Sequence, residues 1–141
     1  MASPCCVEHG EMRWINYSLL ALIIVGCAKT ETLITPCPSL VQGCAVALGR
    51  NKILVKTNTA PVSLQPFSLS ISGSSARAVT VTLQMQGMDM GSNRYHLLRQ
   101  SDGEWRGTLI LPVCVSGRSD WLMMLDFDGE RRALVFQTQS N

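Results

Sequence analysis

Between residues 78 and 85 the chain sets Val79, Val81, Leu83 and Met85 at every second position, with Thr80, Thr82 and Gln84 between them. Successive side chains of an extended strand point to opposite faces, so this spacing predicts a strand with one apolar face. The same alternation recurs along the chain and predicts further strands at 44–48, 53–57, 67–72, 94–99, 104–111, 121–128 and 132–138. Between them lie turn formers such as Gly49-Arg50-Asn51, Gly73-Ser74-Ser75 and Gly91-Ser92-Asn93. Asp102-Gly103 and Asp128-Gly129 supply the positive φ angles of tight hairpins and should join antiparallel neighbours. No segment sustains a helical apolar period over about ten residues. About seven or eight short antiparallel strands therefore predict an all-β sandwich of two sheets. By parity, Trp105, Leu109 and Leu111 share one face, as do Trp121, Met123, Leu125 and Phe127, and these should meet in the core.

The N-terminal part follows other rules. Residues 17–26 are uncharged and mostly apolar, follow Arg13, and are too few to span a bilayer as a helix. They read as an export signal. The run stops at Ile24-Val25-Gly26-Cys27, which resembles the bacterial lipobox, whose cysteine is acylated on sulfur and becomes the mature N-terminus. The expected division is a signal peptide at 1–26, a lipidated tether at 27–40 and a β-sandwich at 41–141. Glu8 and Glu11 suit a basic leader poorly, which points to Met12 as the true start and removes Cys5, Cys6 and His9 from consideration as ligands. From Cys27 onward eleven Lys and Arg face eight Asp and Glu, a scattered excess without the basic stripe that nucleic-acid binding needs. The expected location is the bacterial cell envelope, facing the periplasm. Ala28-Lys29 lacks the aspartate that resembles an inner-membrane retention signal, which favours the outer membrane and leaves the inner open. The acyl groups would make the membrane contact.

One cluster looks like chemistry. Met85-Gln86-Gly87-Met88-Asp89-Met90 gathers three thioethers, with His96 and Cys114 further on. Soft sulfur ligands suit Cu(I), and an exported domain lies outside the reducing cytosol. Met85 continues an apolar strand face and is expected to pack in the core, whereas Met88 and Met90 follow Gly87 where the strand pattern ends. In an extended segment their thioethers would project to one side. His96 would be a third ligand if the turn at 91–93 brings it beside the methionines. The competing readings are plain packing and a methionine-rich surface for another envelope protein. Met123 and Met124 face opposite ways, Met123 inward.

With Cys27 acylated, Cys37, Cys44 and Cys114 remain in an oxidising compartment, and any one of three disulfides leaves an odd thiol. Cys37 with Cys44 is the preferred pair, which makes Cys114 a buried small residue or a soft ligand. Nothing suggests catalysis: there is no Cys-x-x-Cys, no HExxH and no second histidine after Cys27 to pair with a nucleophile. An enzyme is not expected.

The run Met85 to Gly91, the strand with Tyr95, the Asp102-Gly103-x-Trp105 hairpin and the later Trp121 together resemble YtkA-like and FixH-type periplasmic domains over 55–136. Met88, Met90 and Gly91 are the matching positions. The resemblance implies an immunoglobulin-like β-sandwich that takes part in copper delivery or respiratory oxidase assembly with a copper-receiving partner. Asp89 stands where a proline often separates the methionines, and the added cysteines are a second departure.

Overall fold

A computed structural model describes residues 32–85, 87–88, 93–113 and 117–138. Among these residues there is no helix, and ten strands form two five-stranded sheets. The strands are β1 (Leu33–Pro36), β2 (Cys44–Leu48), β3 (Asn51–Thr57), β4 (Pro66–Ser72), β5 (Val79–Met85), β6 (Arg94–His96), β7 (Leu98–Arg99), β8 (Trp105–Ile110), β9 (Asp120–Phe127) and β10 (Glu130–Gln137). Sheet A runs β1-β10-β9-β5-β6 and sheet B runs β2-β3-β4-β8-β7. The protein is a β-sandwich.

The core is the set of inward positions. Val79, Val81, Leu83 and Met85 of β5 are buried while Thr80, Thr82 and Gln84 between them are half-exposed. On β9 the buried set is Trp121, Met123, Leu125 and Phe127, and Val46, Val55, Phe67, Leu69, Ile71, Trp105 and Leu109 face them from sheet B. Two turns close as hairpins. Phe127 pairs with Glu130 across Asp128 and Gly129, whose φ values are 52° and 97°, the mirror-image geometry that suits the right-handed strand twist. Asp128 also accepts hydrogen bonds from the backbone N–H of Arg77 (2.8 Å) and Ala78 (2.9 Å). The bond from Arg77 is the main cause that holds its carboxyl below the usual aspartate range. At the other turn, Gln100 and Glu104 close the loop carrying Asp102-Gly103 and join β7 to β8.

The structure departs from the sequence expectation in two places, and both raise the strand number to ten. First, the segment 27–40 is more than a tether: Leu33–Pro36 is a strand, paired in parallel with β10. Its pattern carries no alternation because β1 is an edge strand, exposed on several sides, and Pro36 is tolerated where no ladder donor is needed. Second, residues 94–99 are two strands. Leu97 turns into the core, 4% exposed, while the chain crosses from the edge of sheet A to the edge of sheet B. Gly107 makes room for it, since a Cβ there would lie 2.5 Å from Leu97 Cδ2. The opposite edge is closed covalently. Cys37, just after β1, is bonded to Cys44 at the start of β2, with 5.7 Å between Cα atoms. At the rim below this edge, Arg132 Nε donates to the carbonyl of Ala47 (2.7 Å) and its guanidinium pairs with Glu130, whose carboxylate accepts from Gly49 N–H.

Candidate functional site

The methionine run begins where β5 ends. Met85, opposite Trp121 in the register, is 1% exposed and belongs to the core. Gly87 then takes φ 80°, a conformation that costs glycine little, and the chain doubles back so that Met88 N–H donates to the Met85 carbonyl at 3.1 Å. This tight turn sets Met88 outward, 41% exposed, three residues past a buried strand end. Met90, Cys114 and the acylation candidate Cys27 lie outside the described residues.

His96 is on the strand next to the methionines but at its wrong end. Thr82 pairs with Arg94, Val81 with Tyr95 and Thr80 with His96, so His96 sits five positions from Met85 along β5. At about 3.4 Å per residue the separation is about 17 Å, too far to share an ion with Met85 or Met88. Its Nδ1 instead lies 3.2 Å from Thr80 Oγ1. The expectation that the 91–93 turn would bring His96 to the methionines is corrected by the antiparallel register: β6 runs away from the turn, and His96 is its last residue.

Cys114 fares differently. Its connection leaves β8 after Ile110 and enters β9 at Asp120, next to the pair of Met85 with Trp121. The connections bearing Met90 and Cys114 therefore emerge from the same end of the sandwich as Met88. Three exposed apolar residues stand at this end: Val113 is 51% exposed, Ile110 43%, and Leu64, whose N–H donates to the Leu111 carbonyl at 2.9 Å, is 66%. Tyr95 holds the two sheets together nearby, its hydroxyl donating to the Ile110 carbonyl at 3.0 Å. Sequence reasoning did not single out this trio, because Ile110, Val113 and Leu64 read as ordinary members or neighbours of strands.

At this end Asp120, the first residue of β9, is committed to an ion pair. Asp120 binds Arg118 through Oδ1 and Nε at 2.9 Å, and that hydrogen bond is the main cause holding its carboxyl below the usual aspartate range. Among the described residues no three His, Cys, Asp or Glu side chains gather as a metal group. Met88 suits Cu(I) in kind and in exposure, since thioethers are soft and do not titrate. His96 and Met85 do not fit, the first by distance and the second by burial. Compared with family models, curated proteins and solved structures, the chain matches none.

Proposed function

We propose that this protein is a periplasm-facing bacterial lipoprotein whose β-sandwich binds Cu(I) at its methionine end, for delivery to a membrane partner. The observation that carries the reading is the turn at Gly87, which places one thioether outside at the end where the connections bearing Met90 and Cys114 also emerge. Met88, Met90 and Cys114 would form an all-sulfur set, and Cu(I) would pass to a partner by exchange of one sulfur ligand for another. Binding of this kind needs no general acid or base. The immunoglobulin-like strand arrangement and the link to respiratory oxidase assembly belong to the same proposal, as does the address set by Cys27, with the outer membrane favoured.

A second reading has its own support. Leu64, Ile110 and Val113 expose apolar surface around the same end, which suits a metal-free docking site for another envelope protein. Titration of the full chain with Cu(I) against a competing chelator separates the two. Uptake of one Cu(I) per chain, lost in Met88→Leu/Met90→Leu, is expected. Absence of uptake by the parent chain would overturn the copper reading and leave the docking one.

A further inference from the structure

The two ends of the Cys37–Cys44 bridge stand on unequal ground. Cys44 opens β2, where Cys44 and Val46 are buried and the ladder to β3 runs over five pairs. The loop leading to it is pinned on its own account, since Leu40 is 4% exposed and its carbonyl accepts the Thr57 N–H at 3.0 Å. Cys37 ends a stretch with no such hold. None of the four residues of β1 is buried, and Leu33 and Ile34 are 55% and 53% exposed. The strand keeps its place by a parallel ladder of four pairs with β10, continued by the Cys37 N–H on the Val135 carbonyl at 2.8 Å.

Backbone hydrogen bonds at an exposed edge replace bonds to water, and their net return is comparable to the entropy lost in ordering the same residues. Apolar burial decides that balance elsewhere in the sandwich, and β1 has none. The bridge makes up for it. With its Cα fixed 5.7 Å from that of Cys44, Cys37 keeps the preceding residues beside β10 at a high effective concentration.

We propose that the Cys37–Cys44 bridge is a redox latch that holds β1 on sheet A, and that its reduction releases residues 33–37 as a strap while the sandwich stays folded. A groove of about 260 Å³ lined by Cys37, Pro38, Val41 and Pro61 lies against the bridge and gives a thiol its approach. The reductant is a dithiol. One of its thiolates attacks Cys37 Sγ, the bond to Cys44 breaks, and Cys44 leaves as a thiolate that takes a proton. The second thiol of the reductant attacks the mixed disulfide and frees Cys37 in turn. Two electrons and two protons pass to the chain, and the dithiol becomes a disulfide. A disulfide-bearing oxidant reverses the exchange.

Release changes the reach of the domain, a consequence that rests on the lipoprotein reading, whereas the latch itself does not. Five residues separate Cys27 from Leu33, so a docked β1 leaves a tether of at most about 20 Å. With β1 free the first residue held by the core is Leu40, and the tether can extend to about 45 Å. The oxidised domain is kept close to its anchor, and the reduced one can meet a partner farther from it.

The test is hydrogen exchange of the full chain read by mass spectrometry, before and after dithiothreitol, with alkylation to report the thiols freed at Cys37 and Cys44. In the oxidised chain the amides of Ile34, Thr35 and Cys37 should exchange at least about ten-fold slower than an unstructured chain. After reduction they should come within about three-fold of the unstructured rate, while β5 and β9 stay protected at least about a hundred-fold. Cys37→Ser/Cys44→Ser should behave as the reduced chain, and oxidised glutathione should restore protection to the parent alone. Protection of β1 that survives reduction would overturn the proposal. Loss of protection in β5 and β9 along with β1 would overturn it too, by making the bridge a staple of the whole fold, as would a bridge that dithiothreitol leaves intact in the folded chain. The intact mass reports acylation of Cys27. A chain without acyl groups fails the lipoprotein reading and with it the change of reach, whereas an acylated chain whose β1 stays protected fails the latch alone.

Discussion

The inner faces of sheets A and B are uniform, and their outer faces are mixed. Inside, Val81, Leu83, Met123 and Leu125 meet Val55, Phe67, Leu69 and Leu109, all at most 2% exposed. Each inner face must exclude water against the other, so both converge on large apolar side chains at alternate positions. Outside, sheet B carries serines, lysines and Arg106 together with the exposed apolar Leu54, Leu98 and Ile110, while the β1-β10-β9 part of sheet A carries Ile34, Leu122, Met124 and Val135 together with Asp120, Asp126 and Arg131. Water accepts either mixture, so neither outer face is constrained as the inner ones are. The difference between the inside and the outside therefore shows what holds the domain together.

The comparison can be broken first at the core. Met123→Ala in sheet A should cost about 2–5 kcal/mol and Phe67→Ala in sheet B about 3–5 kcal/mol, because both leave cavities at fully packed positions. Urea denaturation measures each. A cost well under 1 kcal/mol at either site would mean that its sheet is less tightly packed than the other. The edge between the sheets comes next. Paired replacement of Cys37 and Cys44 by alanine should lower stability by about 2–3 kcal/mol, since the short loop they close restricts the unfolded chain. The crossing at Leu97 should keep the other edge shut, so the unfolding transition should stay a single step. The smallest effects sharpen the contrast most. Val135→Ser on one outer face and Ser70→Val on the other should each change stability by no more than about 0.5 kcal/mol, far less than either core substitution. Thermal melts read both.

A good part of the fold was legible in the chain. The alternation at 78–85 and 121–128 marked both the strands and their buried faces, and Met85 and Met123 fell in the core where parity put them. The site was less legible. Met88 follows a glycine whose φ of 80° turns the chain back on Met85, and that geometry is not written in residue spacing. His96 looked close to the methionines along the chain, yet the register with Thr80 carries it to the far end of β5. The exposure of Leu64, Ile110 and Val113 was equally hidden, because a strand end can finish inside the sandwich or outside it.

What the sequence determined by itself is local. Period-two alternation, Asp-Gly hairpins and the inward sides of the long strands depend on neighbours within a few residues, and backbone geometry translates them directly. The tertiary structure decided everything that needs a distant partner. It paired Leu33–Pro36 with the last strand, sent the chain from one sheet to the other at Leu97, and bonded Cys37 to Cys44. A short edge strand takes its identity from the ladder it joins, and a histidine takes its neighbours from the register of that ladder.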